Sequence, residues 1–311
     1  MNNKTHTHHL LHTLYSMAFL VEARDPYTGG HLWRVSQFST RLALACGFSK
    51  QQAVVAGLGG FLHDLGKVGV PDSILNSKAK LSDEEYAVMK THPALGAQVL
   101  HGHPMAPLAM EAVIGHHERI DGKGYPAGLV SRQIPDVARI VGIADAFDAM
   151  TSTRPYRKGM PVSHAIEQIA ANLDSQFDLK WGRRFIELAK AGELNDIVGH
   201  SDSGIPLREC PMCGLVVVIH KQHKAGDSVF CRACGNGFAL ENQQGQLALK
   251  NTRKMGSADE VQTFIDHDLL SRLLDESLPH LPIDKRHDQT WLQRLRHGLG
   301  RAKASDWLQQ R

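Results

Sequence analysis

From about residue 10 to residue 195 apolar positions recur three and four apart, the spacing of one face of an α-helix. Leu32, Val35, Phe38, Leu42 and Cys46 form one such stripe, and Gly47 after them is a stop signal. A second helix is predicted from Ser49 through Val54, Val55, Leu58, Phe61 and Leu62 to His63 and Asp64. Ser82-Asp83-Glu84-Glu85 reads as a capping box opening a helix that reaches Lys90, and His92-Pro93 as the break behind it. A first helix near Leu10 to Ala23 and others over Pro107 to His117, Asp136 to Thr151, Ser163 to Leu173 and Trp181 to Lys190 complete the pattern. No alternating strand pattern interrupts it.

The character changes after Asp196. Gly199 to Pro206 is polar and contains Gly and Pro, so residues 199–206 read as a linker. Residues 207–240 hold four of the five cysteines and the β-branched run Val216-Val217-Val218-Ile219. A polar segment, Glu241 to Gly256, precedes helical patterns around Val261 to Leu274 and Thr290 to Gln310. The expected architecture is mainly α: an all-helical domain over residues 1–198, the linker, a small β module over 207–240, and a polar linker with a helical tail over 241–311. No internal repeat is present.

At 311 residues the chain is long enough for about two domains. Lys plus Arg number 35 and Asp plus Glu 32, a net charge of only +3, which argues against a binder of nucleic-acid polymers or a general membrane binder. Uninterrupted apolar runs are short, Leu215 to Ile219 among them, far below a membrane span. The N-terminus lacks the charged and apolar regions of a secretory signal, so a cytoplasmic protein is expected. Histidine is the abnormal count, at 19. It is the commonest metal ligand, so the question is whether those residues are organised. His6, His8, His9 and His12 read as a solvated lead-in to the first helix.

The strongest local signal is His63-Asp64-Leu65-Gly66-Lys67, at the end of an apolar helix. Imidazole suits Zn, Fe, Ni or Cu, whereas carboxylate suits harder ions and bridges two of them. Alone the pair would read as helix-end packing. It does not stand alone: His31, His92 and His116-His117 lie beside Gly, Pro or helix ends, and Asp145 and Asp148 share one face of an apolar helix. Together they point to a metal site.

These residues carry a family resemblance. The HDLGK segment, His116 to Pro126 (HHERIDGKGYP) and Ala144 to Ser152 (ADAFDAMTS) resemble the HD-GYP domain, a helical subgroup of the HD metal-dependent phosphohydrolases. The match extends from Asp25-Pro26-Tyr27-Thr28-Gly29-Gly30-His31 through Arg154-Pro155-Tyr156-Arg157, and loosely to about residue 195. The resemblance implies hydrolysis of cyclic di-GMP to linear pGpG, and onward to GMP in some members. It implies two divalent transition-metal ions, Fe or Mn favoured. His63, Asp64 and Asp145 would hold one, and Asp64 would bridge to a second held by His92, His116 and His117; His31 matches a further metal-site position. Some members hold a third ion through a glutamate four residues before that histidine; Tyr27 stands there, so a two-metal site is expected.

Two metals about 3.5–4 Å apart suit an anionic phosphodiester, holding a hydroxide, polarising a phosphoryl oxygen and stabilising the leaving oxygen. The expected mechanism is in-line attack by the bridging hydroxide, with release of the ribose 3′ oxygen. His63, Asp64 and Lys67 are the expected catalytic group, Lys67 contacting a phosphate or the solvent network. Tyr125 in the Gly-Tyr-Pro loop offers a flat face for a guanine, and Arg154 and Arg157 match basic positions on the dinucleotide phosphates. The alternatives are a hydrolase of another cyclic dinucleotide, such as cyclic GMP-AMP, and a non-catalytic receptor that signals through the cysteine module. Retention of every expected ligand argues against the receptor. No receiver or other sensor domain is recognisable upstream.

Cys210-Pro211-Met212-Cys213-Gly214 and Cys231-Arg232-Ala233-Cys234-Gly235 form two C-x-x-C knuckles at zinc-site spacing. The segment resembles a zinc ribbon, in which Cys210, Cys213, Cys231 and Cys234 would bind one structural Zn that supplies much of the folding energy. Structure or a protein partner is the expected role, because Lys221 and Lys224 have no aromatic stripe beside them. Cys46 reads as a small core residue. Trp291, Leu292, Leu295 and Leu299 suggest a tail helix that packs on a neighbouring domain or forms a dimer contact.

Overall fold

The structure is a computed structural model that describes residues 3–25, 29–77, 79–154, 157–261 and 265–281. A helical body comes first: α1 (Asn3–Arg24), α2 (His31–Ala45), α3 (Lys50–Leu62), α4 (Asp72–Leu75), α5 (Asp83–Met89), α6 (His92–Leu100), α7 (Met110–Gly115), α8 (Asp136–Thr151), α9 (Val162–Ala171) and α10 (Leu179–Lys190). Short antiparallel strands follow: β1 (His200–Asp202) with β2 (Ile205–Pro206), β3 (Arg208–Glu209) with β4 (Val216–Val217), and a sheet of β5 (Ser228–Phe230), β6 (Asn236–Gln243) and β7 (Gln246–Met255). Helices α11 (Ala258–Val261) and α12 (His267–Ser277) end the described chain. Among the described residues no helix is long and apolar enough to cross a membrane.

Helix α3 is the centre of the body. The side chain of Ser49 accepts from the Gln52 N–H and the Gln52 side chain accepts from the Ser49 N–H, so the helix starts as a capping box. Its apolar residues are buried nearly all round, which places it inside rather than on the surface. Gly59 and Gly60 allow that depth. A Cβ on Gly60 would stand 2.9 Å from the Val35 carbonyl of α2, and one on Gly59 would stand 2.7 Å from Ala112 Cβ of α7. Close contact there brings the end of α3 beside the start of α2. Phe38, Phe147 and Phe185, all fully buried, lock α2, α8 and α10 together in edge-to-face contacts. Each such side chain contributes about 2–3 kcal/mol over leaving it exposed.

Several sequence expectations are corrected. The first helix begins at Asn3, so His6, His8, His9 and His12 ride on α1 instead of preceding it. The reason is that the apolar face of Leu11, Leu14, Tyr15 and Ala18 is covered by α12, with Tyr15 Oη 2.8 Å from Ser277 Oγ. His92-Pro93 opens α6 rather than breaking the chain, because proline in a first turn sacrifices no helical hydrogen bond. Residues 199–206 are not a free linker. They form the β1–β2 hairpin, pinned to α2 by Arg34 Nη1 donating to the His200 carbonyl at 2.8 Å.

The segment 241–256 is likewise not a polar linker. Gln244 and Gly245 take positive φ of 53° and 83°, closing a two-residue hairpin that pairs Gln243 with Gln246. Leu247 and Leu249 of β7 then pack on the small core of Cys210, Val217, Ile219, Val229, Cys231, Phe238 and Leu240. The β module therefore runs to Met255. Helix α12, in the expected helical tail, packs into the body, with Leu269, Leu270, Leu273 and Leu274 in its core. Tyr27, Pro155, Tyr156 and the tail pattern of Thr290 to Gln310 lie outside the described residues.

Candidate metal centre

Helix ends deliver most of the site. His31 is the first residue of α2 and His92 the first of α6; His63 follows α3 directly, and His116 and His117 follow α7. Asp145 projects from within α8. After Asp64 a 3₁₀ turn over Leu65–Gly69 returns Lys67 so that Nζ lies 2.7 Å from Asp64 Oδ2. Gly66 makes that turn fit: a Cβ there would stand 1.8 Å from the His92 carbonyl oxygen.

The side chains form two groups around Asp64. On one side His31 Nε2 and His63 Nε2 are 3.3 Å apart, 3.5 and 3.3 Å from Asp64 Oδ2, and 3.5 and 3.7 Å from Asp145 Oδ1. On the other, His92 Nε2 lies 3.2 Å from His116 Nε2 and 3.5 Å from Asp64 Oδ1. His117 completes this second group, the three offering nitrogens within 4.8 Å of one another. Each oxygen of one carboxylate thus faces a different histidine set.

The outer ring nitrogens test whether ions fit. His63 Nδ1 lies 2.6 Å from the Gly60 carbonyl, His92 Nδ1 2.8 Å from that of Met89, and His116 Nδ1 3.0 Å from that of Ala112. A carbonyl only accepts, so each Nδ1 carries a proton and donates it. That leaves the inward Nε2 as the ligand atom, the arrangement metal-binding histidines adopt. Burial pushes His92 down to about 3 and holds His116 and His117 below the ordinary range, which keeps their rings neutral. Burial also opposes charge on His63, but Asp64 and Asp145 beside it prevail and push it up to about 10. Despite burial, the Lys67 ammonium and His63 hold the Asp64 carboxyl well below its ordinary value. The two carboxylates therefore demand positive charge between them, and neutral imidazoles stand ready around it. The donor set fits two divalent ions.

Asp148, which the sequence placed with Asp145 among the metal-site carboxylates, stands behind the site instead, and Glu118 was given no role of its own. Asp148 Oδ2 accepts from His31 Nδ1 at 2.7 Å, and its carboxylate also takes two N–H groups of Arg34, an arginine with only 2% exposure. Glu118 accepts from the Ala127 and Leu129 N–H groups at 2.7 and 2.8 Å, shaping the Gly-Tyr-Pro loop. Asp148 was visible as the partner of Asp145 on its helix face; nothing in the sequence ties Arg34 to it.

Tyr125 stacks on His117 with ring centroids 4.7 Å apart and lines a cavity of about 550 Å³ together with Tyr86, Lys90, Lys123, Arg139 and Asp145. Arg154 lies within electrostatic range of Lys67. Arg157 is placed differently from expectation. Its guanidinium donates to the Ala149 and Met150 carbonyls, closing the C-terminal end of α8 instead of projecting toward a phosphate.

Residues 16–180 match the family described as HD domain. The chain belongs to the HD-domain family. Over 168 residues the chain is 39% identical to a cyclic di-GMP phosphodiesterase response regulator, RpfG, of Xanthomonas campestris, covering 53% of this chain and 44% of that protein. A cyclic di-GMP phosphodiesterase of Thermotoga maritima is 37% identical over 190 residues, 60% of this chain and 51% of that one. A 3′3′-cGAMP-specific phosphodiesterase of Vibrio cholerae is 36% identical over 160 residues, 51% and 35% of the two chains. The chain spans about half or less of the length of these relatives.

The cysteine module lies outside the HD match. Cys210 and Cys234 Sγ are 3.7 Å apart, and Cys213 and Cys231 Sγ 3.6 Å. These are free thiols, not disulfides. Sulfurs bound tetrahedrally at 2.3 Å around one zinc stand about 3.8 Å apart, so the spacing suits that ion. Burial works against the Cys234 thiolate, but the Asn236 backbone and side-chain N–H groups bring it down to about 7.

Proposed function

We propose that this HD domain is a metal-dependent phosphodiesterase that opens cyclic di-GMP to linear pGpG. The observation that carries the reading is Asp64, whose two oxygens face two separate groups of inward-pointing histidine nitrogens. The names of the relatives support the substrate class. His31, His63, Asp64 and Asp145 would hold one ion, and Asp64, His92, His116 and His117 the other; the family resemblance, not the ligand types, favours Fe or Mn. Two such ions, when bound, polarise a phosphoryl oxygen, lower the pKa of water and stabilise the leaving oxygen.

The chain's own groups do the remaining work. Burial opposes the Lys67 ammonium, but Asp64 and Asp25 keep it charged, so it fixes Asp64 in orientation and adds a cation for an anionic phosphodiester. Arg154, close to Lys67, extends that positive edge. Tyr125 is held by His117 on one face and presents the wall of the cavity to a nucleobase. The α8 carbonyls occupy Arg157, which makes it a support of that helix end. In the module Cys210, Cys213, Cys231 and Cys234 would bind one Zn. Four thiols that stay reduced fit the cytoplasm, and the module surface is the place for a protein partner.

Turnover of a panel of cyclic and linear dinucleotides by metal-analysed protein tests the reading. Cyclic di-GMP is expected to yield pGpG; preference for cyclic GMP-AMP would reassign the substrate, and tight binding without product in every metal form would indicate a receptor. Asp64→Ala is expected to lose bound metal and activity together. Full turnover by that variant would sink the two-metal reading.

A further inference from the structure

We propose that the cysteine module is a buttress of the HD metal centre, with Arg232 as a positioning residue for His31. The inference rests on the zinc and two-metal readings above. Gly29 and Gly30, the residues just before His31, are packed from the β side. A Cβ on Gly29 would stand 2.2 Å from Val218 Cγ2, which follows β4, and one on Gly30 would stand 2.6 Å from Ser201 Cα of β1. Neither position has room for a side chain: the module fills the space at Gly29, and the hairpin that leads into it fills the space at Gly30.

Polar contacts run the same way. Arg232 lies between Cys231 and Cys234, and its guanidinium donates to the Ala23 carbonyl at the end of α1. It stands within electrostatic range of Glu22 and Asp25. The Glu22 carboxylate in turn accepts the N–H of Leu32, the residue after His31, at 3.2 Å, and lies in range of His31 and Arg34. Arg34 closes the loop, donating to the Gly29 and His200 carbonyls and to Asp148, which takes the His31 Nδ1–H.

The other histidine group has no such attachment among the described contacts. His92 and His116 are oriented by carbonyls of Met89, Ala112 and Val113, all within the helical body. The module core is small, so an ion on the four thiolates is what fixes the knuckle that carries Arg232. Loss of that ion, or of the Arg232 guanidinium, therefore loosens His31 and weakens one ion of the pair while sparing the other.

The test uses the full chain with Co²⁺ as a probe of the thiolates and Mn²⁺ as a probe of the HD centre. Arg232→Ala is expected to keep the cobalt–thiolate charge-transfer band and to bind one Mn²⁺ as wild type does. The other Mn²⁺ should bind about tenfold more weakly, the usual scale for a residue behind a ligand. Arg232→Lys, which retains the charge, should restore most of that affinity. Val218→Ala removes the packing on Gly29, leaves every polar group, and should shift the same Mn²⁺ site by a smaller factor. Unchanged affinity for both Mn²⁺ ions in the two truncation variants would overturn the proposal. A wild-type chain that binds two Mn²⁺ but gives no cobalt–thiolate band would instead overturn the zinc reading and the buttress's dependence on an ion. One that binds no Mn²⁺ would overturn the metal-centre reading and this inference with it.

Discussion

Glu111 sits in the first turn of α7 near Asp136, and burial followed by that neighbouring carboxylate pushes its pKa from 4.5 to about 7. The folded chain then holds this proton more tightly than the unfolded chain does. The associated stability is complete below pH 4.5 and is lost as the pH rises through about 7. Glu111→Gln keeps the shape without the charge. It should be more stable than wild type at pH 8 by about 1–2 kcal/mol, a figure reduced for partial exposure, with the gap closing toward pH 4.5. Urea unfolding across that range checks it; a constant gap would refute the assignment. Asp148 shows the opposite balance. Burial works against its charge, yet Arg34 and His31 hold the carboxyl well below its ordinary value. Such pairings separate what the sequence discloses from what it hides. His63-Asp64 was legible because the two residues are contiguous, whereas the buried Arg34 looks like a stray cation until α8 supplies Asp148 from 114 residues away.

At the scale of elements, the site depends on how closely helices meet. Gly66 abuts the first turn of α6, where a Cβ would collide with the His92 carbonyl oxygen and stand 2.3 Å from the Gly96 nitrogen. Both obstacles are backbone, so no rotamer relieves them. Gly66→Ala should cost about 3 kcal/mol, at the upper end of core overpacking, and should displace His92 from Asp64. Thermal unfolding reads the first effect and Mn²⁺ stoichiometry the second; wild-type values for both would show that the contact is not tight. The helix pattern was legible because α2, α8 and α10 have amphipathic stripes bounded by caps, glycine or proline. Beyond residue 198 a small β module over 207–240 was expected and is present, but the β1–β2 hairpin and β7 were not read. Strands of two or three residues carry too few alternations to read, and β7 is polar from Lys250 to Lys254, so Leu247 and Leu249 were its only large apolar marks before Met255. Its pairing with β6 is specified by the Gln244-Gly245 turn, a signal weaker than Asn-Gly.

Across the whole molecule the chain closes on itself. Helix α12 returns to α1, bonding Ser277 to Tyr15, while Asp266 at its N-cap pairs with His220 of the module at 2.7 Å and Arg272 pairs with Asp202 of β1. Its leucines belong to the helical core, whereas Cys210, Cys231 and Cys234 belong to a separate small core. That division makes the contribution of α12 measurable. Leu270 and Leu274 are 1% and 2% exposed, and truncating a well-buried leucine costs about 2–5 kcal/mol. Replacing both with alanine should remove about 5 kcal/mol, a large part of a margin that runs to only about 5–15 kcal/mol in folded proteins. The expected outcome is a much lower unfolding midpoint for the helical body, with apolar dye bound at moderate temperature and the cobalt–thiolate band intact at low temperature. Loss of the band in step with the helical signal would mean that one cooperative unit spans both cores. An unchanged midpoint would mean that α1 is stable without α12, and the returning helix would then have no share in holding the metal centre's scaffold.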